Sequence, residues 1–224
     1  MTPYCEKFKN IFLEHADDLA LIYKDRKWSY NQLLVEGRRR AKYLKIKGLQ
    51  PGSKLLIHFP DDRVEFLFSI LAGIIGGYDL IPVSQKAKDN ELEYIRNIVQ
   101  PDFIWTESFH EVSNDLDIND TDFQNIRIIF FTSGTTSSPK GVCHEFENLL
   151  SNANAFNHRS GLKRNVCMLN VMPTGYMAGL LNTFFSPLMA RGTIVLADSF
   201  DVRMALDFWK YPMENGVNTI WFTP

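Results

Sequence analysis

Residues 126–142 read I-R-I-I-F-F-T-S-G-T-T-S-S-P-K-G-V. The first six residues form an almost continuous apolar run, which is typical of a parallel β-strand buried on both faces. Ser and Thr hydroxyls, one glycine and Lys140 follow directly after it. The stretch therefore predicts a buried strand, then a small polar loop, then a helix that begins near Phe146.

The polar loop has the chemistry of a polyphosphate site. Small residues let backbone N–H groups form a concavity that holds an anion. Hydroxyls add hydrogen-bond donors, and Lys140 adds a positive charge. A plain Ser/Thr-rich surface turn remains an alternative at this point. A P-loop NTPase is disfavoured, because Pro139, Lys140 and Gly141 stand where that motif requires Gly-Lys-Ser/Thr.

Strand-like and helix-period segments alternate on both sides of this stretch. Ser29 followed by Gln32 is a capping-box signature for a helix that Gly48 is placed to end, and Asp61 is placed to cap another. The alternation predicts an α/β fold with mostly parallel, doubly wound sheets and flanking helices. The other predicted strands are residues 54–59, 78–83, 103–106, 167–171, 193–197 and 217–222, and the other predicted helices begin at Asp89 or Asn90, cover 146–156 and 178–189, and begin at Asp201.

Composition excludes several classes of protein. The 224 residues carry 24 Lys and Arg against 26 Asp and Glu, a formal charge of −2, which disfavours a nucleic-acid binder. Cys5, Cys143 and Cys167 form no pair with zinc-site spacing, so no metal site is predicted. We expect free, buried thiols in a reducing, cytoplasmic compartment. The N-terminus has no apolar signal-peptide core.

Two apolar stretches and one acidic stretch bear on membrane spans and on domain boundaries. Residues 66–78 are too short to span a membrane, and residues 166–190 are interrupted by Pro173 and Pro187, so both predict buried core and no membrane span. Residues 107–122 carry six Asp or Glu and no Lys or Arg. That segment predicts a solvated surface loop or a subdomain boundary near 107–125.

Residues 132–142 closely resemble the phosphate-loop signature T-S-G-T-[ST]-G-x-P-K-G-V of the adenylate-forming, or AMP-dependent synthetase and ligase, superfamily. Ten of the eleven positions fit. That superfamily includes acyl- and aryl-CoA ligases, nonribosomal peptide synthetase adenylation domains and luciferases. Similarity to other family segments extends along the chain, at residues 28–33, 48–54, 71–82, 192–201 and 217–224.

The resemblance implies a two-step reaction. A small-molecule carboxylate reacts with ATP to give an acyl-adenylate and pyrophosphate, and a coenzyme A or pantetheine thiol then displaces AMP. In the family, the loop holds the β- and γ-phosphates of ATP with Mg²⁺, which stabilises developing charge. The positions of this sequence that match that nucleotide-binding role are Thr132, Ser133, Gly134, Thr135, Thr136 and Lys140.

The sequence departs from the family pattern at three places. Ser137 replaces a glycine that permits positive φ, which reshapes or weakens the loop. Phe146 replaces a frequent histidine. Tyr176 replaces the histidine of a "P-l-f-H-x-x-G-l" segment, where it either walls the carboxylate pocket or belongs to the core. The neighbouring His144 and Cys143 are interpreted as an incidental pair entering a helix rather than a metal or nucleophile site.

By the same resemblance, residues 1–224 are the N-terminal portion of the large domain, without the C-terminal domain. The family's adenine-binding, ribose-binding and catalytic-lysine motifs come later than Pro224, so the catalytic residues are unknown. We expect the chain to be inactive alone and to self-associate through apolar surface. The alternatives are a fragment of a nonribosomal peptide synthetase adenylation domain, or a short non-catalytic paralogue that binds a nucleotide or a partner.

Overall fold

The computed structural model describes residues 2–107, 109, 123–132, 139–198 and 207–222. In the described part of the chain no helix is both long and apolar enough to cross a membrane. The helices are α1 (Pro3–Glu14), α2 (Tyr30–Ile46), α3 (Arg63–Gly76), α4 (Asp89–Val99), α5 (Phe146–Ser160), a π-helix (Ala178–Phe185), α6 (Ser186–Met189) and α7 (Lys210–Glu214). The strands are β1 (Leu19–Tyr23), β2 (Arg26–Ser29), β3 (Lys54–Ile57), β4 (Asp79–Pro82), β5 (Phe103–Trp105), β6 (Arg127–Thr132), β7 (Lys140–Glu145), β8 (Cys167–Asn170), β9 (Thr193–Leu196) and β10 (Thr219–Ile220).

The strands form two five-stranded sheets. Sheet A has the order β10-β8-β9-β1-β2, and sheet B has the order β5-β3-β4-β6-β7. Each sheet is parallel except for one edge strand, β2 in sheet A and β7 in sheet B. The predicted α/β class, with mostly parallel sheets and flanking helices, is thereby confirmed. The predicted boundary near 107–125 falls between β5 and β6 and stays a prediction, since residues 110–122 lie outside the described part.

The main core lies between the two sheets and is built around α3. Twelve of the fourteen residues of this helix are buried, including polar ones. A helix that is apolar on all sides belongs in the interior. Its one acidic side chain, Glu65, forms a bidentate ion pair with Arg40 of α2, at 2.8 Å to Nε and 2.5 Å to Nη2. The pair satisfies both buried charges and fixes α2 against α3.

Local signals predicted the start of α2 correctly and placed the cap of α3 one residue too early. The capping box of Ser29 and Gln32 is present at the start of α2, with both reciprocal hydrogen bonds. Helix α3 is capped by Asp62, whose side chain accepts from the Glu65 amide, rather than by Asp61. Gly77 ends α3 in the left-handed conformation, at φ 73°. The predicted helix beginning at Asp201 falls largely on residues 199–206, which are outside the described part.

Four elements were not predicted: α1, β1, β2 and β7. The loop after β6 does not lead straight into a helix, because β7 runs back antiparallel to β6 before α5 begins. The residues of β7 are almost all exposed, so they lack the apolar alternation that marks a half-buried strand. Residues 178–189 do form helix, but the first eight have π-helical rather than α-helical geometry.

Helix α1 is attached to α5 by one carboxylate. Glu147 accepts the backbone N–H groups of Tyr4 and Cys5, both at 2.9 Å, and the hydroxyl of Thr2. It therefore caps a helix that has no side-chain cap of its own. Burial works to raise the pKa of Glu147, but these hydrogen bonds outweigh it and lower the pKa below 4.5. The ionised carboxylate is the form that stabilises the fold.

We predict that Glu147→Gln lowers the free energy of unfolding at neutral pH by about 1 kcal/mol, the usual loss for a helix cap. Because the folded pKa of Glu147 is lowered, its contribution is fully present above the ordinary carboxyl value of 4.5 and is lost as pH falls through the folded pKa. Urea denaturation from pH 7 to pH 3 measures this. The difference in unfolding free energy between Glu147→Gln and the wild type should shrink as the pH falls. Glu93→Gln, on the exposed face of α4, should have nearly the unfolding free energy of the wild type at every pH.

Candidate functional site

The predicted phosphate loop connects the two strands of a hairpin. Strands β6 and β7 pair in unbroken register from Arg127 opposite Glu145 to Thr132 opposite Lys140. The Thr132 hydroxyl lies 3.5 Å from the Lys140 carbonyl oxygen. The hairpin therefore brings two of the six predicted nucleotide-binding residues together across the base of the loop. The other four, Ser133, Gly134, Thr135 and Thr136, lie outside the described residues.

Thr132 and Lys140 are both exposed at the carboxyl end of β6. No residue in the described ranges forms a hydrogen bond or ion pair with the Lys140 ammonium group. Lys140 follows Pro139 and begins β7, so strand pairing fixes its backbone while its side chain stays available to solvent. A hydroxyl and an ammonium group at one edge can bind the oxygens of an anion.

A second segment lies against the carboxyl end of the neighbouring strand β4. A Cβ atom on Gly175 would stand 2.3 Å from the Ser84 amide nitrogen, so only glycine allows this approach. The next residue, Tyr176, is 39% exposed and therefore does not belong to the core. Its predicted place in a carboxylate pocket stays a prediction. The hydroxyl oxygen of Thr174, just before Gly175, is buried and has no partner among the described residues.

The segment 173–176 leads into the π-helix. Gly179 packs on the Pro173 carbonyl, where a Cβ would come within 2.2 Å of the oxygen. Thr183 donates its hydroxyl to the Gly179 carbonyl at 2.9 Å, and Asn170 donates its amide to the Thr183 carbonyl at 3.2 Å. These contacts tie the π-helix to the end of β8. π-Helical turns are frequent at functional sites, and this one directly follows Tyr176.

Arg63 joins the two sheets and was not identified from the sequence. Its guanidinium group, at the start of α3, is 3% exposed. It donates to the Asn170 carbonyl and side chain at 3.2 and 3.0 Å, to the Met172 carbonyl at 2.6 Å, and to the Ala197 carbonyl. Burial lowers the pKa of Arg63 to about 10, although Asp198 and Tyr23 act in the opposite direction.

His144 and Cys143 lie on β7 rather than at the start of a helix, as the sequence had suggested. The His144 ring contacts Phe130, with 6.0 Å between centroids. All three cysteines are free, but only Cys5 is buried, since Cys143 is exposed and Cys167 is half-buried. Within the described ranges, no cluster of three or more His, Cys, Asp or Glu side chains could hold a metal ion.

The fold defines an α/β protein of two mostly parallel sheets, and comparison with known proteins gives its family. A family model described as "AMP-binding enzyme" matches residues 8–125 and 100–224. Together these matches span nearly the whole chain. The protein belongs to the AMP-binding enzyme family, and the resemblance seen in the phosphate-loop signature is confirmed.

Known relatives come from two branches of adenylate-forming enzymes. Surfactin synthase subunit 1 of Bacillus subtilis (strain 168) is 26% identical in an alignment 230 positions long, which covers 93% of this chain and 6% of that protein. The 2-succinylbenzoate–CoA ligase of Enterococcus faecalis is 26% identical over 209 residues, which cover 84% of this chain and 42% of the ligase. The chain thus spans less than half the length of these curated relatives.

Solved structures show the same fold. O-succinylbenzoate coenzyme A synthetase (MenE) from Bacillus subtilis, in complex with AMP, matches with a TM-score of 0.81 at 20% identity, over 96% of this chain and 48% of that one. The N-terminal subdomain of Klebsiella oxytoca NpsA, in complex with anthranilyl-AMSN, matches with a TM-score of 0.78 at 19% identity, over 97% and 60%. The two-sheet arrangement is therefore that of N-terminal adenylation subdomains.

We predict that Arg63→Gln lowers the free energy of unfolding by about 3 kcal/mol, because it leaves buried carbonyl acceptors at the ends of β8 and β9 without their charged donor. Arg63→Lys should recover part of the loss, since one ammonium group keeps the charge but not the planar set of donors. Chemical denaturation measures both. Arg159→Gln, at an exposed position of α5, is the matched control, and an equal loss in that variant would contradict the assignment.

Proposed function

We propose that the protein carries the phosphate-binding part of an AMP-forming acid–thiol ligase, and that the described chain alone does not complete the reaction. The observation that carries this proposal is the β6–β7 hairpin, which sets Thr132 opposite Lys140 at the base of the signature loop. Family membership supports the use of ATP. In the parent reaction, a carboxylate attacks the α-phosphorus of ATP, the acyl–phosphate bond forms and pyrophosphate leaves.

The hairpin residues would act on the leaving group. Lys140 offers an ammonium group that no described residue engages, and Thr132 offers a hydroxyl at the same edge. Ser133, Gly134, Thr135 and Thr136 are proposed to complete the cradle. Charge accumulates on pyrophosphate as it departs, so donors placed there lower the barrier. Bound Mg²⁺ would neutralise part of the phosphate charge, and it would be held mainly by the nucleotide.

Tyr176 is proposed to wall the carboxylate side of the site. Gly175 holds the segment against the end of β4, next to the strand that leads into the hairpin. The half-exposed ring of Tyr176 could therefore contact a bound carboxylic acid rather than the core. The acceptor in the second step would be the thiol of coenzyme A or of a carrier-bound pantetheine.

Two narrower assignments follow from the two branches of relatives. Similarity to 2-succinylbenzoate–CoA ligases supports an acyl- or aryl-CoA ligase. Similarity to surfactin synthase supports a nonribosomal adenylation domain instead. A short paralogue that binds nucleotide without catalysis is the third assignment. All three share the phosphate site; the first two differ in the thiol acceptor, and the third uses none. The free cysteines support a reducing, cytoplasmic setting.

The phosphate site can be tested by calorimetric titration of the full chain with ATP and Mg²⁺. We expect measurable binding that Lys140→Ala weakens by about tenfold, as for the loss of one charge-assisted hydrogen bond to phosphate. Lys163→Ala removes an equally exposed lysine outside the hairpin and should leave the affinity unchanged. Equal affinity in the wild type and both variants would refute the phosphate site.

The same preparation separates binding from turnover. We expect no ATP–pyrophosphate exchange above background with any carboxylic acid, because the proposed site supplies only the phosphate cradle and one wall. Exchange that Lys140→Ala abolishes would contradict the proposed inactivity, while the phosphate site itself would stand.

We also propose that the protein self-associates through apolar side chains near α7 and β10. Trp209, Met213 and Phe222 are 57%, 77% and 47% exposed. Sedimentation velocity over a range of concentrations should show a rising average mass, which Met213→Glu lowers. Ile98→Glu, at a comparably exposed position on α4, is the control and should not change the mass. A monomer at every concentration would contradict this proposal.

A further inference from the structure

A cavity of about 380 Å³ lies on the face of sheet A that points away from the main core. Side chains alternate between the two faces of a strand, so Ile194 of β9 packs in the main core while Val195 belongs to an outer cluster with Leu169, which lines the cavity. Val171 and Ala197 belong to the same outer cluster. The π-helix, which carries the chain away from Tyr176, packs on the other face through Leu180. The cavity is therefore separate from the proposed carboxylate wall.

The order in which the chain forms the strands of sheet A leaves a crevice at the carboxyl ends of β8 and β9. Strand β8 is followed by the π-helix and α6, which lie on the inner face and lead to β9 on one side of β8. Strand β9 is followed by α7, which packs on the outer face and leads to β10 on the other side of β8. The strand order thus reverses between β8 and β9. In open α/β sheets, ligands bind at such a point, outside the carboxyl ends of the strands.

The walls of the cavity are apolar and aromatic. Leu169 and Val171 form its floor, and Phe208 lies opposite. The rings of Tyr23 and Tyr211 complete the walls. Their hydroxyls are already hydrogen-bonded, since Tyr23 donates to Asp198 at 2.9 Å and Tyr211 donates to the Leu196 carbonyl at 3.2 Å. The two side chains therefore present their rings to a ligand. The size is at the lower end for small-molecule sites, which combine apolar walls with a few polar groups.

Charge at the mouth selects among possible ligands. The lining carries Asp198, Asp207 and Lys24, so acidic groups exceed basic ones by one. The Lys24 ammonium group lies 4.9 Å from the centre of the Tyr23 ring and is thereby already engaged. In the described part of the chain no group bonds to the Asp207 carboxylate. Acceptors and aromatic faces both attract cations, whereas the one cationic side chain of the lining, Lys24, already contacts the Tyr23 ring and is less available to a ligand carboxylate.

We propose that this crevice binds a small primary amine with an apolar, preferably aromatic, body. The ammonium group lies between Asp198 and Asp207, and the body rests on Leu169 and Val171 beside Phe208. No covalent step is involved. The proposal does not depend on the phosphate site, and nothing in the β6–β7 hairpin contributes to it.

The test compares three probes that share one ring and differ in the head group: 2-phenylethylamine, 2-phenylethanol and 3-phenylpropionate. Each is titrated into the full chain and followed by ligand-observed NMR and calorimetry, without nucleotide. We expect the amine to bind most tightly and the carboxylate most weakly. Asp207→Asn should lower the affinity for the amine by about fivefold, the effect of losing one partly exposed ion pair, and should leave the affinity for the alcohol unchanged.

Two further variants locate the site. Ala197→Leu adds bulk to the lining and should abolish binding of amine and alcohol alike, with the circular dichroism spectrum checked for folding. Glu93→Gln removes an exposed carboxylate on α4 and should leave all three affinities unchanged. The proposal is overturned if the carboxylate binds as well as the amine, if Asp207→Asn does not affect the amine, or if no probe binds saturably.

Discussion

Arg63 is the residue on which the arrangement of the two sheets depends. It begins α3, which follows β3 of sheet B, yet its guanidinium group donates to carbonyl oxygens at the ends of β8 and β9 of sheet A. The Asn170 carbonyl also accepts the Ala197 N–H at 3.0 Å, but the carbonyls of Met172 and Ala197 lie past the paired residues of their strands and need donors from elsewhere. One planar side chain with several N–H groups provides them at both strands.

This arrangement has an electrostatic cost. A buried cation lies at the positive end of the α3 dipole, and no carboxylate of the described residues is hydrogen-bonded to it. The lowered pKa of Arg63, caused by burial, reflects that cost. The Asp198 carboxylate, just past β9, offsets part of it from a distance. Arg63 thus ties the start of α3, which follows β3, to the ends of β8 and β9, and its partner Ala197 lines the outer crevice.

How far the sequence predicts this structure depends on how local each signal is. The capping box of Ser29 and Gln32 and the apolar run of β6 act over a few residues, and both predictions were confirmed. The phosphate-loop motif predicted Thr132 and Lys140 as nucleotide-binding residues, which stays a prediction, but it did not predict the strand that pairs them, because β7 is polar and exposed on an edge. Arg63 gave no signal, since an arginine after two aspartates is typical of an exposed helix start. Its role depends on contacts more than a hundred residues away.

The β6–β7 hairpin and the outer crevice of sheet A also differ in how local the contacts that form them are. The β6–β7 hairpin closes a short loop, so the pairing of Thr132 with Lys140 needs little more than its own two strands and the β4 neighbour. Sheet A instead pairs Leu21 with Ile194, and therefore requires both ends of the described chain to meet around the segment that builds sheet B. Such non-local, parallel pairing forms slowly, because the entropy of closing a long loop opposes it. A substitution at Arg63 should accordingly disturb the outer crevice of sheet A before it disturbs the hairpin, because Arg63 donates to the carbonyl of Ala197, a residue that lines the crevice, and to none of the described hairpin residues.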